Sequence, residues 1–231
     1  MNIEILQLID GAKKARGLTV VIDVFRAFTV EAYAMAAGAE SVLPVGSIDD
    51  AYAIKAAHPE YLLMGERGGK KCPGFDFGNS PSQLRSVDLK GKTLVHTTSA
   101  GTQGIANAVH ADEILTGSLV NADAIARYIW KKNPEQVSLV CMGLEGREPT
   151  EEDTLCAEYI RARLLGENPD ISAEMDDLRN TSGAKFFDPA QQEAFPQPDF
   201  DMCIQLNKFD FVLQVEKLSG EPRAWISKMC K

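Results

Sequence analysis

No Cys-x-x-C pair, no run of basic residues and no apolar stretch near the roughly 20 residues of a membrane-spanning helix occurs in this chain. Each absence removes a class of function. The three histidines, His58, His96 and His110, stand apart, and the five cysteines, Cys72, Cys141, Cys156, Cys203 and Cys230, are scattered and odd in number. A structural zinc site needs clustered ligands, so none is expected, and the cysteines read as free thiols in a reducing compartment. Nothing at the start resembles a secretory leader, which makes the cytoplasm the expected location and a membrane an unexpected partner. Lys and Arg number 24 against 33 Asp and Glu, a net charge of -9, without aromatic-basic interleaving, so nucleic acid is not expected either. An acidic chain can still hold an anion, but only where a pocket or a bound cation makes the local potential positive.

What is present is the material of an ordinary globular core: 231 residues, 45% hydrophobic and 25% charged. A single domain spanning residues 1–231 is expected, with two similar halves meeting near residue 115 as the other division. Self-association into a homo-oligomer stays open. Apolar, β-branched runs at residues 18–24, 41–45, 61–65, 92–97, 113–116 and 137–142 alternate with helical patterns. The Ala-rich helix at 27–37 stops at Gly38, and Ser47 with Asp50 caps the next one. Further helices are expected at 101–109, from near Asn121 and from near Thr150. This rhythm implies an α/β fold, a mostly parallel sheet covered by helices on both faces. At the end the rhythm changes. Residues 210–217 and 223–229 flank Ser219-Gly220, which predicts an antiparallel C-terminal hairpin at a sheet edge. Residues 168–205, rich in Pro and Asp, carry no readable pattern.

The unusual residues fall just after strands, where ligands of parallel sheets bind. Asp23 sits in an otherwise apolar strand, where a charge costs several kcal/mol unless it is paired, hydrogen-bonded or bound to a cation. It is either a buried partner of Arg26 or a functional carboxylate. An aspartyl-phosphate nucleophile would usually have a second Asp two positions on, and Phe25 stands there, so a metal ligand or general base is favoured. Glu66 is either a metal ligand or acid/base group, or the salt-bridge partner of Arg67 or Arg26. The loop 97–102, small and hydroxyl-rich, either cradles an anion with its N–H groups or is an ordinary turn with a Thr cap. It lacks the glycine spacing of a nucleotide fingerprint. Thr150 followed by Glu151, Glu152 and Asp153 reads as a helix start. Lys70 and Lys71 read as solvated, Cys141 and Cys156 as buried apolar groups, and His96 as a structural histidine.

The strings VIDVFRA (21–27), GERGG (65–69), GFDFGNSP (74–81), TTSAGT (97–102) and EDT (152–154) resemble, in order, the motifs of the 2-phosphosulfolactate phosphatases. The likeness runs from about Val20 to Ala157. Many members carry Asn where this chain has Ala100. The resemblance implies a three-layer α/β/α fold and a magnesium-dependent acid phosphatase of coenzyme M biosynthesis, a phosphoric monoester hydrolase releasing sulfolactate and phosphate. It also raises Asp153 from helix start to candidate ligand. A mechanism fitting these residues has Mg²⁺ held by Asp23 with Glu66 or Asp153. Arg26 and the loop residues Thr98, Ser99, Gly101 and Thr102 take the phosphate, and Arg67, Asn79 and Ser80 take the sulfonate and carboxylate. Such a substrate carries about -4 at neutral pH. The alternatives are a phosphatase of another small phosphorylated hydroxy acid, or a non-catalytic protein that binds anionic metabolites.

Overall fold

The computed structural model describes residues 1–217 and 224–229. Its strands and helices alternate as β1 (Asn2–Gln7), α1 (Leu8–Lys14), β2 (Gly17–Ile22), α2 (Ala27–Ala36), β3 (Ser41–Pro44), α3 (Ile48–Ala57), β4 (Leu62–Arg67) and β5 (Lys70–Lys71). They continue as β6 (Thr93–Thr97), α4 (Gly101–Asn107), β7 (Ala111–Gly117), α5 (Ala122–Lys132), β8 (Gln136–Cys141) and α6 (Glu151–Leu164). Short α7 (Ser172–Asp177) and α8 (Gln197–Cys203) precede β9 (Val212–Lys217) and β10 (Ala224–Met229). All ten strands share one sheet, ordered β1-β8-β2-β7-β9-β10-β3-β6-β4-β5. None of the described helices is long and apolar enough to cross a membrane.

Side-chain alternation along the strands makes the three layers. Val21, Val140, Val42, Leu94, Leu213 and Ile226 point to the face covered by α1, α2 and α4. Their neighbours Val20, Ile22, Leu139, Leu43 and Val95 point to the face covered by α5, α6 and α3. Helix α2 is apolar nearly all round and almost wholly buried, as such a composition requires. Ser47 caps α3 as expected, its Oγ accepting from Asp50 N at 3.0 Å. Cys72, Cys141, Cys156 and Cys203 are free and buried. Cys230, Arg223 and the expected turn Ser219-Gly220 lie outside the described residues.

The antiparallel hairpin exists, but it is not at an edge. Strands β9 and β10 lie in the middle of the sheet, β9 against β7 and β10 against β3, all antiparallel. Both faces of this hairpin are covered: Leu213 and Ile226 are fully buried on one side and Val212 packs on the other. A pattern of alternating residues cannot tell an edge from a centre, because pairing is decided by strands distant in the chain. The true edge at the other end is β1, paired in parallel with β8; its Ile3/Ile5 alternation escaped the sequence reading.

The central hairpin also changes how the site is assembled. Three successive antiparallel pairings reverse the strand sense, so the parallel block β1-β8-β2-β7 runs opposite to the block β3-β6-β4. In a flat sheet the ends of β2 and β6 would therefore lie on opposite rims. Twist of roughly 20–25° per pair accumulates to roughly 100–125° over the five steps between them and swings those ends toward one another. Replacing Leu213 with Ala should lower stability by about 2–5 kcal/mol, the cost of a cavity in a closed core. A fall in urea midpoint equivalent to less than about 1 kcal/mol would mean the hairpin packs as a peripheral strand pair.

Candidate active site

Asp23 follows β2 and sits against the first turn of α2, where Oδ1 accepts from Ala27 N at 3.0 Å. Its other oxygen faces α4: a Cβ placed on Gly101 would lie 3.0 Å from Asp23 Oδ2 and 2.9 Å from Ala27 Cβ. The two strand blocks thus meet at Asp23, and Gly101 is glycine because any side chain would enter that contact.

Glu66, at the end of β4, spends both oxygens on backbone. Oε2 accepts from Gly69 N and Oε1 from Ser99 N, each at 2.8 Å. Asp153, in the first turn of α6, does the same with Val24 N and Gly143 N at 2.8 Å each, tying the loops after β2 and β8 together. Glu152 differs. It is 3% exposed, and its Oε2 has no hydrogen-bond partner among the described residues. These four carboxylates line one cavity of about 160 Å³ with Arg26, Asn79, Thr98, Ser99, Lys185 and Phe195. No salt bridge within 4.0 Å neutralises any of the four among the described residues.

Crowding shows in their acidity. Burial, with repulsion from Glu66 and Glu152, raises Asp23 to about 6 against the opposing Ala27 N–H bond. Burial, then Glu152 and Asp23, holds Asp153 well above the usual carboxylate range despite its two N–H partners. Burial raises Glu152 too, partly offset by the charge of Lys185.

Several expected pairings do not form. Arg26 does not neutralise Asp23; its Nη1 donates to Asp199 Oδ2 at 2.7 Å, and its guanidinium lies 4.8 Å from the centre of the Phe195 ring. Arg67 does not bridge to the Glu66 carboxylate. It donates to the Glu66 carbonyl and to Thr97 Oγ1 at 2.6 and 2.9 Å, and it turns away from the cavity. Ser80 Oγ donates to Asp199 Oδ1 at 2.9 Å, so it supports Arg26 from behind rather than facing the cavity. The Thr-rich loop is engaged with itself: Thr102 N donates to Thr98 Oγ1 and Thr98 N to Thr102 Oγ1. With Ser99 N on Glu66, an anion would have to displace these bonds, and the loop's first task is to hold Glu66. Thr150 begins α6, but its hydroxyl caps nothing and has no partner. His96 takes the structural role, buried with Nδ1 2.8 Å from Glu31 Oε1.

Sequence reasoning thus brings Asp23, Arg26, Glu66, Asn79, Thr98, Ser99 and Asp153 to one cavity and leaves Arg67, Ser80, Gly101 and Thr102 behind or beside it. It passed over three residues. Glu152 reads in the sequence as part of a helix start. Lys185 and Asp199 lie in the patternless segment, where Phe186 and Phe200 build a small core against Phe25. The runs of Phe at 186–187, 195 and 200 were the available signal.

The family model described as 2-phosphosulpholactate phosphatase matches residues 3–217. The chain belongs to this family. A probable 2-phosphosulfolactate phosphatase of Bacillus subtilis (strain 168) is 33% identical over 207 residues, covering 88% of this chain and 89% of the relative. One from Carboxydothermus hydrogenoformans is 45% identical over 138 residues, 59% of this chain and 57% of its own. Another, from Caldicellulosiruptor saccharolyticus, is 40% identical over 163 residues, 69% and 66%. Membership makes the chain a phosphatase, a phosphoric monoester hydrolase.

Two measurements check the electrostatics of this cavity. Between about pH 4 and 6 the folded protein holds a proton on Asp23 that the unfolded chain releases, so this group's destabilising effect grows as pH rises through 6. In metal-free protein, Asp23→Asn should therefore raise stability at pH 7 by on the order of 2–3 kcal/mol, with no gain below about pH 4. Equal urea midpoints at pH 7 would show that Asp23 carries no such penalty. Asp199→Ala strands the buried Arg26 guanidinium and should cost about 3–5 kcal/mol; a loss under about 1 would show that Arg26 finds another partner.

Proposed function

We propose that this phosphatase hydrolyses 2-phosphosulfolactate to sulfolactate and inorganic phosphate, with Mg²⁺ bound among the cavity carboxylates. The observation that carries the reading is the cluster of four buried carboxylates without salt bridges, in a family whose relatives bear that substrate in their names. A cation would relieve such repulsion, since burying a lone carboxylate otherwise costs several kcal/mol.

The donor set suits a hard divalent ion. Asp23 Oδ2 makes no hydrogen bond among the described residues, and Glu152 Oε2 is buried without a partner. No group of three or more His, Cys, Asp or Glu side chains among the described residues stands ready to hold a metal. Mg²⁺ does not need one: it takes one or two carboxylates and fills its octahedron with water and substrate oxygens. Asp23 and Glu152 offer those oxygens directly, while Glu66 and Asp153 could add second lone pairs without leaving their backbone donors. When bound, the ion offsets phosphate charge and lowers the pKa of a water.

The chain's own residues do the rest. Arg26, oriented by Asp199 and the ring of Phe195, presents positive charge to a phosphate in the cavity. Its Nε is buried and unpartnered, a donor held in reserve. Asn79, with Oδ1 also unpartnered, lines the same wall. Glu66 and Asp153 fix the four loops that carry these groups, so the site is positioned before substrate arrives. Phosphate monoesters hydrolyse so slowly unaided that charge neutralisation and in-line positioning must supply most of the acceleration.

Phosphate release should be tested on 2-phosphosulfolactate beside other phosphorylated three-carbon acids, with Mg²⁺ and with EDTA. Turnover is expected with Mg²⁺ and lost with chelator, and Asp23→Asn should lower kcat at least about 100-fold while the protein stays folded. Activity undiminished by EDTA removes the metal from the reading. Preference for an unsulfonated acid reassigns the substrate.

A further inference from the structure

We propose that Lys185 determines specificity in this site, its ammonium receiving the second anionic group of a substrate whose phosphate lies toward Arg26 and the carboxylates. The inference rests on the phosphatase reading above and adds the side chain that sorts substrates by charge.

Among the described residues, Arg26 and Lys185 are the cations lining the cavity. Arg26 is committed to Asp199. Lys185 makes no salt bridge among the described residues, although five carboxylates, the four buried ones and the exposed Glu145, line its cavity. Its position is built rather than incidental. Nζ lies 5.3 Å from the centre of the Phe195 ring, 5.7 Å from Phe186 and 5.9 Å from Phe25, within the range of cation–π attraction. Phe186, the next residue, is fully buried and anchors the single 3-10 turn Ala184–Phe187 that carries the lysine.

The ammonium acts on Glu152 through its field, yet Glu152 Oε2 remains without a hydrogen bond. Lys185 therefore keeps donors for a group inside the cavity. A carboxylate or sulfonate entering beside four acids would be repelled unless a cation met it, and Arg67, the sequence's candidate, faces elsewhere. The other role open to Lys185, offsetting Glu152 alone, would help every phosphate ester equally. That difference makes the two separable.

The test measures KM and kcat with Mg²⁺ for wild type, Lys185→Met and Lys185→Arg on three secondary phosphate esters. Isopropyl phosphate has no second anion, 2-phospholactate adds a carboxylate, and 2-phosphosulfolactate adds both groups. In Lys185→Met, KM should rise about 10- to 100-fold more on substrates bearing the recognised anion than on isopropyl phosphate. Lys185→Arg should keep most of the affinity and shows that the fold tolerates change here. A loss on both acids assigns the carboxylate; a loss on 2-phosphosulfolactate alone assigns the sulfonate. Equal loss on all three esters, or no loss on any, overturns the proposal while leaving the phosphatase reading intact. Wild type that releases phosphate from neither acid overturns that reading, and this inference with it.

Discussion

Negative charge taken out of water is expensive, and the molecule is organised around four carboxylates that carry it into one cavity. Burial raises Asp23, Glu152 and Asp153 above the usual carboxylate range, and repulsion from neighbouring acids adds to the shifts of Asp23 and Asp153. Basic side chains do not relieve it by direct pairing. Backbone does so in part: Ala27, Gly69, Ser99, Val24 and Gly143 each donate an N–H to one of these acids. Each bond to a charged acceptor is worth about 1.5–3 kcal/mol, so the acids repay some of their burial by fastening the loops that surround them. The acids that line the cavity also hold it together. What remains uncompensated lies chiefly at Asp23 and Glu152.

Bringing these acids together required an unusual sheet. The central antiparallel hairpin splits the parallel strands into two blocks of opposite sense, and twist turns their ends into one cleft. The blocks do not follow chain order: β1, β2, β7 and β8 form one, β3, β4 and β6 the other. Close packing then finishes the joint. Gly101 lets α4 approach Asp23, and Gly69 lets the 66–69 turn approach Phe195, where a Cβ would lie 2.2 Å from the ring. The aromatic segment before β9 closes the remaining side and delivers the cations, Lys185 directly and Arg26 through Asp199.

Much of this was legible in the chain. Period-two and helical patterns announced the alternating elements, and β2, α2, β4, β6 and β8 lie within a few residues of where those patterns put them. A lone Asp in an apolar strand marked one of the buried carboxylates of the cavity, and the ordered motifs from VIDVFRA to EDT marked the family. Local chemistry was enough there, because a buried charge or a glycine-rich turn is unusual wherever the chain later goes. Partner choice was not legible. Arg26 stands three residues from Asp23 yet bonds Asp199, 173 positions away, while Arg67 stands beside Glu66 and takes its carbonyl instead of its carboxylate.

By itself, then, the sequence determined the α/β class, the family and several of the residues that line the cavity, since these depend on what each segment is made of. Tertiary structure alone decided the hairpin's central place, the pairing of each charge, and the entry of Glu152, Lys185 and Asp199 into the site. Those outcomes depend on which segments meet in space, and packing sets that over the whole chain at once. Composition and spacing act over a few residues, so they carry no record of it.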